Sequence, residues 1–406
     1  MSLALPWFTA SNAPSVISAA NLDYNFGHPV DPAKASALEG VVEQATGKAA
    51  KVLGSFSPSS ESEPPSVLEP GEFPTVTLVE FTDGKKMLAQ VRRHAFNEAL
   101  EIGDAVFAAY EKHGVSVQRL EPMDGWKTSV RINNMNGQER RLWLTNYRPA
   151  TGSFLTHFDE AKIPALGRML ARMNNAAIDI ENDQPDLMTR IRAYSDLTSM
   201  LAYRHGAEES APPGSVRDVL WGWPEFQKFV EGGDIVRSVN MFNPIGRHVL
   251  ILEDGGLGLT SMATPCRGYV PMMTKNITYD TALAAYRSVL NADNLDKAMS
   301  TNTNEVWGNL NVFVQSFNEE TQDRPIGVSE LVLAMKRANA LDTIFVSGYM
   351  KVTEPLRVQD QSNIMENMER VISRHMEKKE RHLKVIERVG SLFGARPENG
   401  PELGLF

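Results

Sequence analysis

The stretch TVTLVEFTDGKKMLAQV, residues 75–91, decides how the chain is built. Apolar and polar side chains alternate on both sides of Asp83–Gly84, a dipeptide that favours a two-residue hairpin turn. A second stretch of this kind, WKTSVRINNMNGQERRLWLTNY at 126–147, carries its turn residues between two further apolar runs. The spacing predicts an antiparallel sheet of hairpins between residues 75 and 147.

Helical periodicity separates and flanks these hairpins. AFNEALEIGDAVFAAYEKHG (95–114) is amphipathic and ends at a glycine suited to a helix C-terminus, and KIPALGRMLARMNNAAIDI (162–180) has an apolar stripe. Residues 36–53 also have helical spacing, with Gly47 suited to end the first helix. The order helix, two strands, helix, two strands, connector, helix predicts an α+β fold.

The chain divides into four parts. Residues 1–35 contain several prolines and no clear period, so they predict an N-terminal arm. Residues 36–150 form the sheet-containing part, in which the Ser-, Pro- and Glu-rich segment 55–74 is expected to be a long loop. A helical part follows at 151–358, and 359–406 is a C-terminal helix with a tail.

Composition limits the classes of function. The 406 residues carry a net charge of −9, with acidic and basic residues interspersed, which argues against a general nucleic-acid binder. No long apolar run predicts a membrane span, and the N-terminus is a poor signal peptide. The single Cys266 excludes an internal disulfide framework and suits a reducing compartment. A cytoplasmic protein without a membrane partner is expected.

Residues 362–394 predict one long helix that would measure about 50 Å at 1.5 Å per residue. Its apolar stripe recurs at steps of three and four residues, so one side requires burial. We expect the chain itself to cover about half of this length, because a single small domain is narrower than the helix is long. The rest is expected to contact a second copy of the chain or another protein partner. The alternative is that the helix folds back wholly onto the helical part of its own chain.

The order of segments resembles the N-terminal lobe of the aminoglycoside phosphotransferase and homoserine kinase type II group, which are small-molecule kinases with a protein-kinase-like fold. The matching segments are ALEGVVEQATG, DGKKMLAQVRR, YEKHGVSV, DGW, LWLTNYRPATG and LGRMLARMN. The resemblance implies a two-lobed fold, with a small antiparallel-sheet N-lobe and a mainly helical C-lobe. It also implies ATP and magnesium as cofactors and a small-molecule substrate.

The resemblance implies positions for the phosphate-binding residues. The basic residue that the family has in its third strand would fall on Gln90 or Arg92, and a glutamate of the following helix would steady it. Arg92 with Glu98 or Glu101 could serve in these roles. The alternative is that Arg92 is a solvated strand residue.

The nucleotide base would lie against the connector LTNY, residues 144–147, so the resemblance implies Thr145 and Tyr147 as further cofactor-binding residues. In the alternative interpretation, LTNY is the end of an ordinary strand.

Chemistry would come from EGGDIVRSVNMFNPIGRHVLILEDGGLG, residues 231–258, whose runs VNMF and HVLIL flank NPIG as a predicted hairpin. The family has a His-Gly-Asp loop, an Asn about five residues on, and an Asp at the end of the next hairpin. The resemblance then implies Asp234 as the catalytic residue and Asn240 and Asp254 as magnesium ligands.

This stretch departs from the family's pattern. The histidine is absent, the Asp–Asn spacing is one residue longer, and Ile251 stands where the leading acid is expected. In the alternative interpretation, Asp234 caps a turn and Glu253–Asp254 belong to a solvated turn.

Two classes of function follow. The first is an ATP-dependent phosphotransferase acting on a small-molecule hydroxyl, or a catalytically degenerate relative of such enzymes. The second is a structural or assembly protein, such as a viral coat-type subunit, which would use the arm, the long loop and the C-terminal helix for subunit contacts.

Overall fold

A computed structural model of the chain describes residues 26, 28–56, 71–92, 97–123, 128–153, 160–193, 237–240, 249–260, 268–289, 303–341, 380–381, 383–388 and 390.

The first part of the chain forms a small lobe around a six-stranded sheet. Its elements are α1 (Pro32–Thr46), β1 (Ala50–Ser55), β2 (Val76–Phe81), β3 (Lys86–Arg92), α2 (Asn97–Lys112), β4 (Ser116–Val117), β5 (Leu120–Glu121), β6 (Val130–Asn133) and β7 (Glu139–Asn146). The strand order is β1-β2-β3-β7-β5, with β6 also paired to β7, and every pair is antiparallel. The antiparallel sheet predicted between residues 75 and 147 is therefore confirmed.

Local sequence explains these elements. Gly84 takes φ +79° in the β2–β3 turn, where the Asp83 carboxylate accepts a hydrogen bond from the Lys85 N–H at 2.9 Å. Helix α1 begins after Asp31, whose side chain accepts hydrogen bonds from two N–H groups of the first turn, and it ends at Gly47 with φ +70°. One face of the sheet then packs on α1 through Leu38 and other buried side chains.

The described residues from 150 onward form a mainly helical lobe with two further small sheets. Its strands are β8 (Ala150–Ser153), β9 (Arg237–Asn240), β10 (Val249–Leu252), β11 (Leu257–Leu259) and β12 (Gly268–Pro271). Its helices are α3 (Ile163–Asp183), α4 (185–193), α5 (Tyr279–Ala284, continued by a π-turn to Val289), α6 (Thr303–Glu320), α7 (328–341) and α8 (described at 380–381, 383–388 and 390).

Helices α3 and α6 pack together at the centre of this lobe. Gly167 of α3 lies so close to α6 that an added Cβ would stand 2.7 Å from the Phe313 carbonyl oxygen. The buried Asn175 joins the same helices, because its amide donates to the Glu320 carbonyl and accepts from the Gln322 N–H. No helix in the described part of the chain is long and apolar enough to cross a membrane.

Three expectations about secondary structure need correction. Residues 50–55 form a strand, although helical spacing was read across 36–53, because Gly47 ends the helix and the following segment pairs with β2. Helix α1 starts at Pro32, inside the range expected for the arm, because Asp31 caps it. Both ends of the expected loop 55–74 belong to the sheet lobe: Ser55 is in β1, and Glu72 forms a buried ion pair with Arg140.

The predicted hairpin between VNMF and HVLIL is wrong. Strand β9 pairs with β12, whereas β10 pairs with β11 and β8. The turn that does close a hairpin is the next one, at 253–256, where the Asp254 carboxylate accepts a hydrogen bond from the Gly256 N–H at 2.8 Å and Gly255 takes φ +81°. This local turn joins β10 to β11. Strands β9 and β10, which flank NPIG in the sequence, belong to different sheets.

The C-terminal helix is described only in its last part. There, Leu383 and Ile386 are buried in the main core of the helical lobe. This part of the predicted helix therefore packs on its own chain, and residues 362–379 lie outside the described residues.

Candidate ligand cleft

A compact apolar cluster lies where the two lobes meet. Its buried members come from the sheet lobe (Val76, Leu78 and Leu88), from strand β10 (Leu250) and from the end of the N-terminal arm (Phe26). Partly buried side chains extend it, namely Phe56, Tyr147, Ala150 and Leu252. The cluster therefore joins both lobes and the connector between them.

A shared sheet holds this cleft together. Strand β10 pairs with β8, which directly follows the connector, and β11 pairs in parallel with β4, which precedes it. The ammonium group of Lys162 donates to the Gly255 carbonyl at 2.7 Å and fixes the turn of the β10–β11 hairpin. These strand pairings and this hydrogen bond hold the β10–β11 hairpin against β4, β8 and the start of α3.

The connector is also anchored to α2. Asn146 and Arg119 exchange hydrogen bonds, and the Arg119 guanidinium donates two hydrogen bonds to the Asp104 carboxylate at 2.7 and 2.8 Å. The Asp104 carboxylate raises the pKa of Arg119. This bidentate pair fixes the connector relative to the helix behind the sheet.

On the sheet face, Gln90 and Thr145 form a fully buried polar pair. The Gln90 amide donates to the Thr145 hydroxyl at 3.3 Å. Gln90 is one of the two strand positions, with Arg92, on which the resemblance places the family's cation, and Thr145 is one of the two expected base-binding residues. Here the pair is uncharged and its members bond to each other.

Arg92 and Glu101, the residues expected to bind phosphate as a pair, differ from each other in their surroundings. Burial lowers the pKa of the Arg92 guanidinium to about 10. The exposed Glu101 forms an ion pair with Arg190 of α4 at 2.9 Å. The carboxylate of Glu101 therefore already serves a contact between α2 and α4.

Tyr147 is partly buried at the edge of the apolar cluster. Its ring contacts the Phe26 ring edge-on, with centroids 5.8 Å apart and planes at 88°. Burial, together with the nearby Glu253 carboxylate, raises the pKa of Tyr147. The connector and the β10–β11 turn thus meet at this side chain.

The two expected metal ligands, Asn240 and Asp254, belong to strands and turns of different sheets. Asp234 is outside the described residues. Asn240 is buried at the end of β9, where its amide donates to the Ser238 carbonyl and accepts from the Asp280 N–H. Asp254 is exposed in the β10–β11 turn. Among the residues that the structure describes, no three His, Cys, Asp or Glu side chains are grouped to hold a metal ion.

Residues 241–248, which follow β9, and residues 261–267, which precede β12, lie outside the described residues. In the small sheet, Asn240 at the end of β9 is the partner of Gly268 at the start of β12. The first segment reads MFNPIGRH, and residues 260–267 read TSMATPCR. Neither stretch contains an aspartate or a glutamate, the residues whose carboxylates bind magnesium in proteins.

Sequence reasoning missed Phe26 and the hairpin residue Leu250 as parts of the cleft. Phe26 is in a stretch without periodicity, and Leu250 was assigned to a different hairpin. The available signal was Gly54 at the end of β1, since a glycine in a strand often marks the close approach of another backbone.

No protein-family model and no curated protein matches the sequence. Among solved structures, a spectinomycin phosphotransferase in complex with ADP and spectinomycin is similar with a TM-score of 0.50 at 9% identity, over 88% of this chain and 99% of that one. An amicoumacin kinase in complex with AMP-PNP, Ca²⁺ and Ami has a TM-score of 0.49 at 14% identity, over 76% of this chain and 86% of that one.

The likeness to the spectinomycin phosphotransferase covers nearly all of that chain and agrees with the order of lobes described above. The chain therefore has the two-lobed, protein-kinase-like fold of the aminoglycoside phosphotransferases.

Proposed function

We propose that this chain binds a nucleotide in the cleft between its lobes and has lost magnesium-dependent phosphoryl transfer. It is then a catalytically degenerate relative of the small-molecule kinases whose fold it shares. The observation that carries this proposal is the absence of acidic residues from 241–248 and 260–267, the segments on either side of the β10–β11 hairpin.

The order of elements explains why these segments matter. The pattern implied by the resemblance is a loop with a catalytic Asp, then a hairpin, then an Asp that holds the metal. The hairpin of this chain is β10–β11, so the corresponding segments are the ones before and after it. Carboxylates are needed there to orient the hydroxyl and to bind magnesium, and the sequence supplies none.

Two further positions support the loss of chemistry. A cation that would hold the nucleotide phosphates is replaced by Gln90, whose amide bonds to Thr145. The nitrogen and the oxygen of the Asn240 side-chain amide both form hydrogen bonds within the protein. The oxygen therefore has a structural role.

The binding half of the proposal rests on the walls of the cleft. Leu78 and Leu88 of the sheet lobe and Leu250 of the helical lobe belong to one buried cluster, beside the Tyr147 ring. Apolar walls with an aromatic side chain suit a planar ring, and the connector offers backbone groups at its edge. We therefore expect a purine nucleotide to bind through its base.

Titration calorimetry with ATP, in magnesium and in excess EDTA, tests both halves. We expect dissociation constants that agree within about twofold, because no carboxylate shell would hold the ion. We also expect no release of ADP when a panel of small-molecule alcohols is added.

An active enzyme would behave differently. If Asp234 were the base and Asn240 and Asp254 held magnesium, the ion would tighten ATP binding by about tenfold or more, and Asp234→Asn would abolish turnover. Either result would overturn the proposed loss of chemistry.

A further inference from the structure

The end of the N-terminal arm occupies the cleft to which the proposed function assigns a nucleotide. We propose that this arm is a displaceable plug, in which the Phe26 ring takes the place of the ligand's ring. The inference rests on the proposed function and adds a regulatory element to the same site: a purine-sized planar ligand binds only when the arm has left.

The Phe26 ring fills the space between the walls of the cleft. Phe26 is 7% exposed and belongs to the cluster formed by Val76, Leu78, Leu88 and Leu250. Its ring meets Tyr147 edge-on and lies 5.8 Å from the Phe56 ring at an angle of 51°. It is therefore enclosed by the same walls that would receive a planar ligand, and the two cannot occupy this space together.

The backbone at the end of the arm contacts β1. His28 forms an antiparallel bridge with Ser55, and the Ser55 N–H donates to the His28 carbonyl at 3.0 Å. An added Cβ at Gly54 would overlap the Phe26 carbonyl oxygen. Phe26 and His28 therefore lie against the end of β1, and they can do so because position 54 has no side chain.

The bridge between His28 and Ser55 lies on β1, which is an edge strand of the sheet. A ligand that competes with the arm sees only the fraction of molecules in which the arm is open, so its apparent affinity is reduced by that fraction. Removing the ring should raise the affinity without changing the walls of the cleft.

The test compares the wild type with Phe26→Ala and Gly54→Ala, which loosen the arm in different ways. Leu53→Ala is the matched control, because Leu53 is the neighbouring residue of β1 and is 39% exposed. Fluorescence anisotropy with a fluorescent ADP analogue in EDTA measures binding. We expect both arm variants to bind about tenfold or more tightly than the wild type, and Leu53→Ala to bind as the wild type does.

Hydrogen exchange of the Ser55 amide gives a readout that does not depend on the nucleotide. We expect this amide to lose protection in Phe26→Ala and in Gly54→Ala, and to keep it in Leu53→Ala. Adding ADP to the wild type should also lower its protection, since the ligand displaces the arm.

The two measurements separate the two proposals. Equal ADP affinity in all four proteins would overturn the plug and leave nucleotide binding intact. Absence of binding in all four would overturn the proposed nucleotide site and, with it, the displacement of the arm by a nucleotide. Unchanged Ser55 exchange in Phe26→Ala would show that the ring does not hold the arm, whatever the nucleotide does.

Discussion

The side chain of Asn240 fastens β9 to the first turn of α5, where its Oδ1 atom accepts a hydrogen bond from the backbone N–H of Asp280 at 3.1 Å. Its amide nitrogen donates to the Ser238 carbonyl, and the residue is 1% exposed. A residue implied as a metal ligand by resemblance is thus a structural link between two elements of the helical lobe.

Replacing Asn240 by alanine should lower the free energy of unfolding by about 1–3 kcal/mol, because the buried Asp280 N–H loses its acceptor. Urea denaturation measures this change. The exposed Asn311 of α6 provides a control, and Asn311→Ala should change stability little. Unchanged stability in Asn240→Ala, together with weakened magnesium binding, would support a metal-ligand role instead.

Two glycines in helices should respond to alanine with opposite signs. Gly167→Ala should destabilise the fold by about 1–3 kcal/mol, because the new Cβ would stand 2.7 Å from the Phe313 carbonyl oxygen and force α3 and α6 apart. Gly308→Ala, at an exposed site of α6 with open space, should stabilise it by up to about 1 kcal/mol. Thermal denaturation of both variants checks the pair, and a stable Gly167→Ala would mean that the two helices are not closely packed.

Glu181 should make stability depend on pH. Burial raises the pKa of its carboxyl, and this outweighs the hydrogen bonds from Val239 and Ser238. A raised pKa in the folded protein means that the group favours folding when protonated, and that this contribution is lost as the pH rises through the folded pKa.

The measurement for Glu181 is urea denaturation of the wild type and Glu181→Gln at about pH 5 and about pH 8. We expect the wild type to lose stability relative to the variant between these values. A constant difference across this range would show that the carboxyl is not perturbed.

The described part of α8 should contribute to the stability of its own chain. Ile386→Ala should cost about 2–5 kcal/mol, because the side chain is fully buried in the main core. The exposed neighbour in Glu387→Ala serves as the control and should change stability by less than about 0.5 kcal/mol.

Light scattering of a chain that ends at residue 361 addresses the rest of the predicted helix. A folded, fully stable truncated chain would contradict the packing of α8. A change in mass would support the expected contact with a second copy.

The sheet lobe could be predicted from sequence because its signals are local. Asp83–Gly84 and Gly114 mark ends of elements within a few residues of the apolar patterns that they bound, and both occupy the expected positions. The pairing of β9 with β12 could not be predicted in this way. Its strands are separated by a complete hairpin, and the pairing brings Val239 and Val270 into the main core, a long-range contact without a local signal in the sequence.

The resemblance implies Thr145 and Tyr147 of the connector as base-binding residues, and this role stays a prediction. In the structure, the Tyr147 ring contacts the Phe26 ring of the same chain. Phe26 could not be anticipated, because a single aromatic residue in a stretch without periodicity gives no sign of the surface that it will contact. The same holds for Asn240, because the sequence gives no sign that its amide oxygen accepts a hydrogen bond from the Asp280 N–H.

The ladder between β4 and β11 has a consequence for how the lobes move. Two-domain proteins commonly open and close around a hinge, with a few connecting residues absorbing the rotation. Here Ser116 and Val117 precede the connector, yet they pair with Gly258 and Leu259 from beyond it. A wide swing of the small lobe would break this backbone pairing, so we expect any closure of the lobes to be limited to small rotations. If the proposed function holds, we expect the rate at which a nucleotide enters to follow release of the arm at Gly54, and not opening of the hinge.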